Sequence, residues 1–261
     1  MALDKLTIIL LFYNEEGWIG KTIDSLAGQS ISDFSLILID NNSNDASTEE
    51  AARHMASLGS RARIISCLQA GKIHALAAGL AEVETSLVAT CDADTYYPPD
   101  YVKRIFELFA ANENAAAVMA MDLYAPAQSV ESQRRIEKII RKSRVFSAKC
   151  HAGGYAQAFR TEILRRVGGF DVRRWPYVLE DHEIIARVMQ YGSSIYCPKH
   201  YCFPAPRREH GKSTSWTRAE RLMYRYLPVS RIDWFFYSFL GPRLASRNAL
   251  SLALQSKSWL D

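Results

Sequence analysis

The residues best suited to chemistry stand together in Ser86-Leu87-Val88-Ala89-Thr90-Cys91-Asp92-Ala93-Asp94-Thr95. A short apolar run delivers two aspartates, two positions apart, where a strand is expected to end. Successive side chains on a strand alternate faces, so Asp92 and Asp94 are expected to face one crevice. In open α/β sheets, ligands bind outside the carboxyl ends of the strands. Two carboxylates there suit a hard cation, Mn2+ or Mg2+, which takes one or two protein carboxylates and fills its shell with water and substrate phosphates. The plain alternative is a solvated turn, because Asp, Thr and the following Pro98-Pro99 are ordinary turn formers.

Other polar groups are spaced along the chain in a related way. Tyr13-Asn14-Glu15-Glu16 ends the apolar run 6–12, and Asp40-Asn41-Asn42-Ser43-Asn44-Asp45 ends the run 35–39. Each has a bland reading as a loop, and the second holds several helix N-cap candidates. Three such clusters at the same edge of one sheet favour a site. Glu180 and Asp181 open a further helical pattern, where the macrodipole also favours acidic residues as caps. Gly153-Gly154 allow close backbone approach to a ligand, or a simple turn. Residues 204–214, with two prolines, a glycine, His210, Lys212 and Ser213, read as a linker or as a lid over a phosphate-bearing ligand.

The elements that must hold these groups can be read from periodicity. Runs at 6–12, 35–39, 62–67 and 86–91 fit strands buried on both faces. Between them, 15–27 has apolar groups at Trp18, Ile19, Ile23 and Leu26 in helical spacing; a second helix extends to about 58, and Gly71-Lys72 opens a third to about 83. That alternation predicts βαβ units and an α/β fold with a mostly parallel central sheet flanked by helices. The second half is less regular: helix 101–111, strand 115–123, basic helix 131–149, strand 156–160, helix 162–167, a helix from 179 to about 191, and strand 193–197. Helix 131–149 reads as a solvated charged face packed on the sheet, or as a surface for anionic lipid or phosphate. Residues 216–259 look helical and rich in arginine and aromatics, which fits an interfacial helix, a dimer contact or a helical pair docked on the body.

Composition bounds the function. The 261 residues are 48% hydrophobic and 23% charged, as in an ordinary globular chain. A net charge of +4 is mild, and no nucleic-acid partner is expected. Residues 207–261 hold ten Lys/Arg against four Asp/Glu, so the basic excess lies in the tail. Five cysteines without a CxxC pair predict free thiols in a reducing compartment. No signal peptide and no apolar run of membrane-spanning length is read. No GxGxxG follows an early strand, which argues against a dinucleotide oxidoreductase.

Taken together and in order, several segments resemble the family 2 glycosyltransferases of the GT-A fold. Tyr13-Asn14-Glu15 resembles the family's opening turn. Gln29 and Asp33-Phe34, then Asp40 and Asn42-Ser43-Asn44-Asp45, resemble its Gln and Asp-Asp-Gly-Ser-Thr-Asp stretch. Gly71-Lys72 with Ala75-Leu76 and Gly79-Leu80 resembles its Gly-Lys-x-x-Ala-Leu-x-x-Gly segment. Asp92-Ala93-Asp94 with Pro98 or Pro99 resembles its Asp-x-Asp motif and trailing proline. Gly153-Gly154, Phe159-Arg160, Gly168-Gly169-Phe170 and Glu180-Asp181 resemble its acceptor-side half. The likeness spans about residues 6–200. Two departures stand out: Leu11 where the family often has proline, and Asn41 where it has a second aspartate, which blurs the nucleotide preference.

The resemblance implies a Rossmann-like GT-A domain over residues 1–203, with a nucleotide-binding half (1–112) and an acceptor-side half (113–203). A lid loop (204–216) and a helical C-terminal appendage (217–261) follow. It implies that Leu11, Tyr13, Glu15 and Asp40 hold base and ribose, since a carboxylate can accept the imide N–H of uracil. Lys72, Asp92 and Ala93 would lie along the rest of the nucleotide sugar. Asp94 and Asp92 would bind the cation, joined by His210 if the lid closes. Asp181 would be the general base of an inverting transfer, with Glu180 the next candidate or an acceptor-orienting residue. The expected activity is transfer from a nucleoside diphosphate sugar, UDP-linked in the first instance, to a hydroxyl acceptor. Bacterial cell-envelope polysaccharide or glycolipid synthesis would supply such an acceptor, lipid-linked in one version. Without a Gln-x-x-Arg-Trp motif, one sugar per event is expected. The expected location is the cytoplasm, with peripheral contact to the inner face of the cell membrane through 217–261. Two rivals remain: a catalytically silent sugar-nucleotide-binding or assembly subunit, and a sugar-nucleotide nucleotidyltransferase, which would want a glycine-rich basic loop after the first strand.

Overall fold

Strand β1 (Leu6–Phe12) has Leu6, Ile8, Ile9 and Leu10 wholly shielded from water. A strand apolar on both faces belongs in the middle of a parallel sheet. In the computed structural model, which describes residues 5–147, 149–151, 153–206 and 216–251, β1 lies between two parallel neighbours, β2 (Phe34–Asp40) and β4 (Leu87–Asp92). Strand β3 (Ala62–Ser66) adds to β2, also parallel. The crossovers are helices α1 (Ile19–Ala27), α2 (Ser47–Met55) and α3 (Lys72–Ala81). Helix α3 lies close on β1: a Cβ on Gly79 would stand 2.5 Å from Ile9 Cγ2.

The sheet has eight strands in the order β3-β2-β1-β4-β7-β6-β8-β5. Here β5 is Thr95–Tyr96, β6 is Ala115–Asp122, β7 is Gln157–Arg160 and β8 is Ser193–Pro204. Strand β7 runs antiparallel to both β4 and β6, while β6 and β8 are parallel. The sheet is therefore parallel in the first half and mixed in the second. Helices α4 (Tyr101–Ala111), α5 (Val130–Val145), α6 (Thr161–Arg166) and α7 (Glu180–Val188) complete the body. Helix α5 covers a separate small core of Met121, Leu123, Ile136 and Ile139. All five cysteines are free thiols.

Two elements differ from expectation. Strand β8 does not stop at Cys197 but continues to Pro204. Pairing with β6 passes from Met119↔Tyr196 to Met121↔Tyr201, so the segment with Pro198 bulges out of the ladder. Proline in a strand is tolerated at such a bulge because no N–H is needed there. The extension then pairs with β5, too short to carry a pattern of its own.

The tail is not one helix. It is α8 (Arg218–Tyr226), a 3-10 turn at Val229–Arg231, a π-helical stretch Trp234–Leu240 and α9 (Gly241–Ser246). Thr217 and Glu220 close a capping box at the start of α8. Of the tail aromatics, Phe235, Phe236 and Tyr224 are buried, and Phe236 meets Trp175 edge-on at 5.4 Å. The Glu183–Arg187 pair, bidentate at 2.7 and 2.8 Å, is buried, and Tyr237 donates to Glu183. Docking on the body accounts for these buried rings, while Tyr226, Trp234 and Tyr237 stay exposed. Among the described residues no helix is long and apolar enough to cross a membrane.

Candidate active site

Parallel register sets the strand ends level. Leu11 stands opposite Asp92, Phe12 opposite Asp40, and Asp40 opposite Ser66. The turn Tyr13–Glu16, the Asp40 loop and the Asp92 turn thus share one edge of the sheet. The first two are laced together. The Asn14 side chain, on a residue with φ of 53°, donates to Asn44 Oδ1 at 2.7 Å. The Glu15 amide donates to Ser47 Oγ at 2.7 Å, and Glu50 accepts from the Gly17 and Gly20 amides at the start of α1. Asp40 accepts from the Ser43 amide at 2.9 Å and the Thr48 hydroxyl at 3.0 Å, so any base contact shares its carboxylate with its own loop.

Asn41 has a role that sequence comparison had marked only as a departure. It is 3% exposed, donates to the Cys67 and Gln69 carbonyls at 3.1 and 2.7 Å, and accepts from the Gly71 amide at 2.7 Å. An amide can do both; an ionised carboxylate can only accept. Asn41 therefore fixes the loop that delivers Lys72. Gly71 has φ of 120°, which only glycine adopts without strain.

The two aspartates reach the edge differently. Asp92 ends β4, but Ala93-Asp94 form the tight turn into β5, so strand alternation does not orient Asp94. The turn is held from both sides: Thr22 Oγ1 donates to the Ala93 carbonyl at 2.8 Å, and the Ala205 amide to the Asp94 carbonyl at 2.8 Å. Beneath it, Tyr97 accepts from the Asp92 amide at 3.1 Å and donates to the Tyr155 carbonyl at 3.0 Å. Gln29 pins the following proline turn, donating to the Tyr97 and Pro98 carbonyls and accepting from the Val102 amide.

Lys72 joins the two halves. Its Nζ lies 3.6 Å from Asp92 Oδ1 and 3.2 Å from Glu180 Oε1. Glu180 and Asp181 form the first turn of α7, after Leu179 in the left-handed region with φ of 69° and no side-chain cap. Asp181 accepts from the His182 amide at 2.8 Å, and the Gly154 amide also faces its carboxylate. Thr90 donates to the Gly154 carbonyl at 2.5 Å, and Gln157 Nε2 to the Asp181 carbonyl at 3.3 Å. A Cβ on Gly154 would sit 3.3 Å from Asp181 Cβ and 3.4 Å from Lys72 Nζ, which is why a glycine suits this contact. Burial raises the Asp181 and Glu180 carboxyls above their usual range, and Lys72 opposes that rise. Burial pushes the neighbouring His182 down to about 4, so it is neutral at pH 7.

The structure thus gathers Lys72, Asp92, Glu180 and Asp181, with Leu11, Tyr13, Glu15, Asp40, Ala93 and Asp94 along the same edge. His210, Lys212 and Ser213 lie outside the described residues, as does most of the 204–216 segment. Among the described residues no group of three or more His, Cys, Asp or Glu gathers as a closed metal site. The donor chemistry at the edge is that of an open, two-carboxylate site. Asn41, Thr90, Tyr97 and Gln157 position this machinery without the sequence having marked them for it; their roles follow from contacts such as Gln157 with Asp181, 24 positions apart, and Thr90 with Gly154, 64 apart, which form only on folding.

Comparisons with known proteins bear on the same region. A family model described as Glycosyl transferase family 2 matches residues 7–168. An uncharacterized glycosyltransferase of Nostoc sp. is 23% identical over 202 residues, 74% of this chain and 59% of that protein. A teichoic acid poly(glycerol phosphate) polymerase of Staphylococcus epidermidis is 28% identical over 165 residues, 62% of this chain and 23% of that protein. The chain thus spans less than two thirds of the length of each of these relatives. Among solved structures, mannosyltransferase PcManGT from Pyrobaculum calidifontis, in complex with GDP-Man and Mn2+, superposes with a TM-score of 0.70 at 19% identity, covering 97% of this chain and 73% of that one. S. aureus TarS in complex with UDP-GlcNAc superposes with a TM-score of 0.61 at 16% identity, covering 92% and 73%. At these identities the likeness is one of fold, the GT-A fold.

Proposed function

The chain belongs to glycosyl transferase family 2, and from that premise we propose that it transfers a sugar, with inversion, from a nucleoside diphosphate sugar to a hydroxyl acceptor. The observation that carries this reading is the Lys72 bridge, 3.6 Å from Asp92 and 3.2 Å from Glu180, which ties the donor edge to the acceptor-side acid pair.

In this reading Leu11, Tyr13, Glu15 and Asp40 hold the base and ribose, and Lys72 and Asp92 line the path to the diphosphate. A uridine base is favoured because Asp40 and Glu15 are acceptors. PcManGT was solved with GDP-Man and TarS with UDP-GlcNAc, so both donor types occur among proteins of this fold. Asp92 and Asp94 fit Mn2+ or Mg2+, since substrate phosphates and water complete such a shell. When bound, the cation neutralises the diphosphate leaving group as a Lewis acid. Asp181 accepts the proton of the acceptor hydroxyl as that oxygen attacks the face of the anomeric carbon opposite the leaving group. Glu180 holds Lys72 and orients the acceptor. An envelope polysaccharide or glycolipid precursor, lipid-linked or not, fits as acceptor. The location in that case is cytoplasmic, at the inner face of the membrane.

Calorimetric titration with UDP, GDP, CDP and dTDP, with and without manganese, tests the donor side. Manganese-dependent binding of UDP, lost in Asp94→Ala, is expected. Tight binding of a different nucleotide would overturn the uridine assignment alone. Metal-independent binding, unchanged in Asp94→Ala, would remove the metal site. A silent binding subunit would bind donor yet show no sugar transfer in a single turnover with any hydroxyl acceptor.

A further inference from the structure

Helices α5 and α8 make a basic junction that the transfer reaction leaves unused. Helix α5 carries Arg134, Arg135, Lys138, Arg141, Lys142 and Arg144 against Glu131 and Glu137. Helix α8 adds Arg218, Arg221 and Arg225. The end of α5 abuts α8: the Phe146 and Tyr226 rings meet edge-on at 5.6 Å, Arg225 lies over Phe146 at 5.9 Å, and Lys149 donates to the Leu227 carbonyl at 3.0 Å. Arg135 pairs with Asp122, whereas Lys138, Lys142, Arg221 and Arg225 meet no carboxylate among the described residues. Lys142 is lowered from its usual value by burial and then by the charges of Lys138, Arg225, Arg135 and Arg221, so these cations crowd one place.

Around the same junction, Val145, Leu222, Tyr226 and Val229 are 67, 58, 65 and 54% exposed. Crowded like charges and bare apolar side chains are both unfavourable in water. A free phosphate or a nucleic acid would relieve the first and leave the second. An anionic bilayer relieves both: headgroups meet the cations, and the apolar side chains enter the interface. The buried face of α8 points to the acceptor side, where Tyr224 packs on His182, next to Asp181, at 5.4 Å between rings.

We propose that the α5–α8 junction is a docking face for anionic membrane, which sets the acceptor side of the site at the lipid surface. Its placing of the acceptor side rests on the proposed transfer reaction, whereas membrane docking itself does not and is measured without donor.

The test is sedimentation of the full chain with vesicles of phosphatidylcholine alone or with added phosphatidylglycerol. Wild type is expected to sediment only with the anionic vesicles, less so as salt rises. Lys138→Glu with Arg221→Glu should weaken that binding about tenfold or more. Leu222→Ser with Val229→Ser should weaken it even at low salt, with thermal unfolding unchanged in both pairs. Equal sedimentation with both vesicle types, or with neither, overturns the proposal, as does unaltered binding of the charge-reversed pair. So does displacement by inorganic phosphate beyond that by chloride at equal ionic strength, which would mark a phosphate site. The wild-type comparison decides even if a variant fails to fold.

Discussion

At the scale of single residues, Asp181 bears the heaviest expectation. A general base works only when ionised, so transfer should rise with pH as Asp181 loses its proton. Burial raises its carboxyl above the ordinary 3.8, so the acid limb of kcat/KM should lie above the range of a solvated aspartate. Asp181→Asn should lower kcat by about 100- to 10,000-fold while calorimetric donor binding is kept. An active Asn variant, or an acid limb at the ordinary value, would move the proton to another group, Glu180 first. Glu180→Gln should instead disturb Lys72, whose Nζ it holds at 3.2 Å, and so weaken donor binding as well.

At the scale of elements, the loop between β3 and α3 depends on one amide. Asn41→Asp keeps an acceptor for the Gly71 amide but sets a carboxylate against the Cys67 and Gln69 carbonyls. Leaving such buried groups unsatisfied costs about 1–3 kcal/mol. Denaturant unfolding should show that loss, and donor affinity should fall with it because Lys72 is delivered by the same loop. Retained stability together with retained affinity would mean that the family's usual aspartate fits here unaltered. The bulge at Pro198 teaches a related lesson about β8. Its sequence looks terminated there, yet the extension beyond it is what pairs with β5, and the Ala205 amide that follows holds Asp94.

At the scale of the molecule, buried histidines couple the fold to pH. His200, stacked on Tyr101 with rings 4.9 Å apart, is pushed by burial from 6.5 to about 3. His151 and His182 are pushed to about 4 by the same cause. All three stay neutral when folded, while the unfolded chain protonates them below about 6.5. Stability is therefore full above that value and is lost as pH falls toward the folded values. His200→Phe keeps the ring but removes one such proton. Its Tm should fall less steeply than that of wild type between about pH 6.5 and pH 4. Parallel Tm curves would show that His200 is solvated enough to titrate normally in the fold.

Periodicity and ordered motifs alone determined the βαβ first half, the level strand ends, the acid pair opening α7 and the family. These are local signals: apolar runs of strand length, helical spacing, and loops that chemistry confines to strand ends. Tertiary structure decided what depends on partners distant in the chain. It placed Asp94 in a turn held by Thr22 and Ala205 instead of on a strand, and it turned Asn41 from an apparent departure into a support for Lys72. It also buried Phe235 and Phe236 of the tail against the body, leaving the basic junction of α5 and α8 exposed. No residue pattern distinguishes an aromatic that packs inward from one that faces a membrane. Only the position of the surface that covers it does.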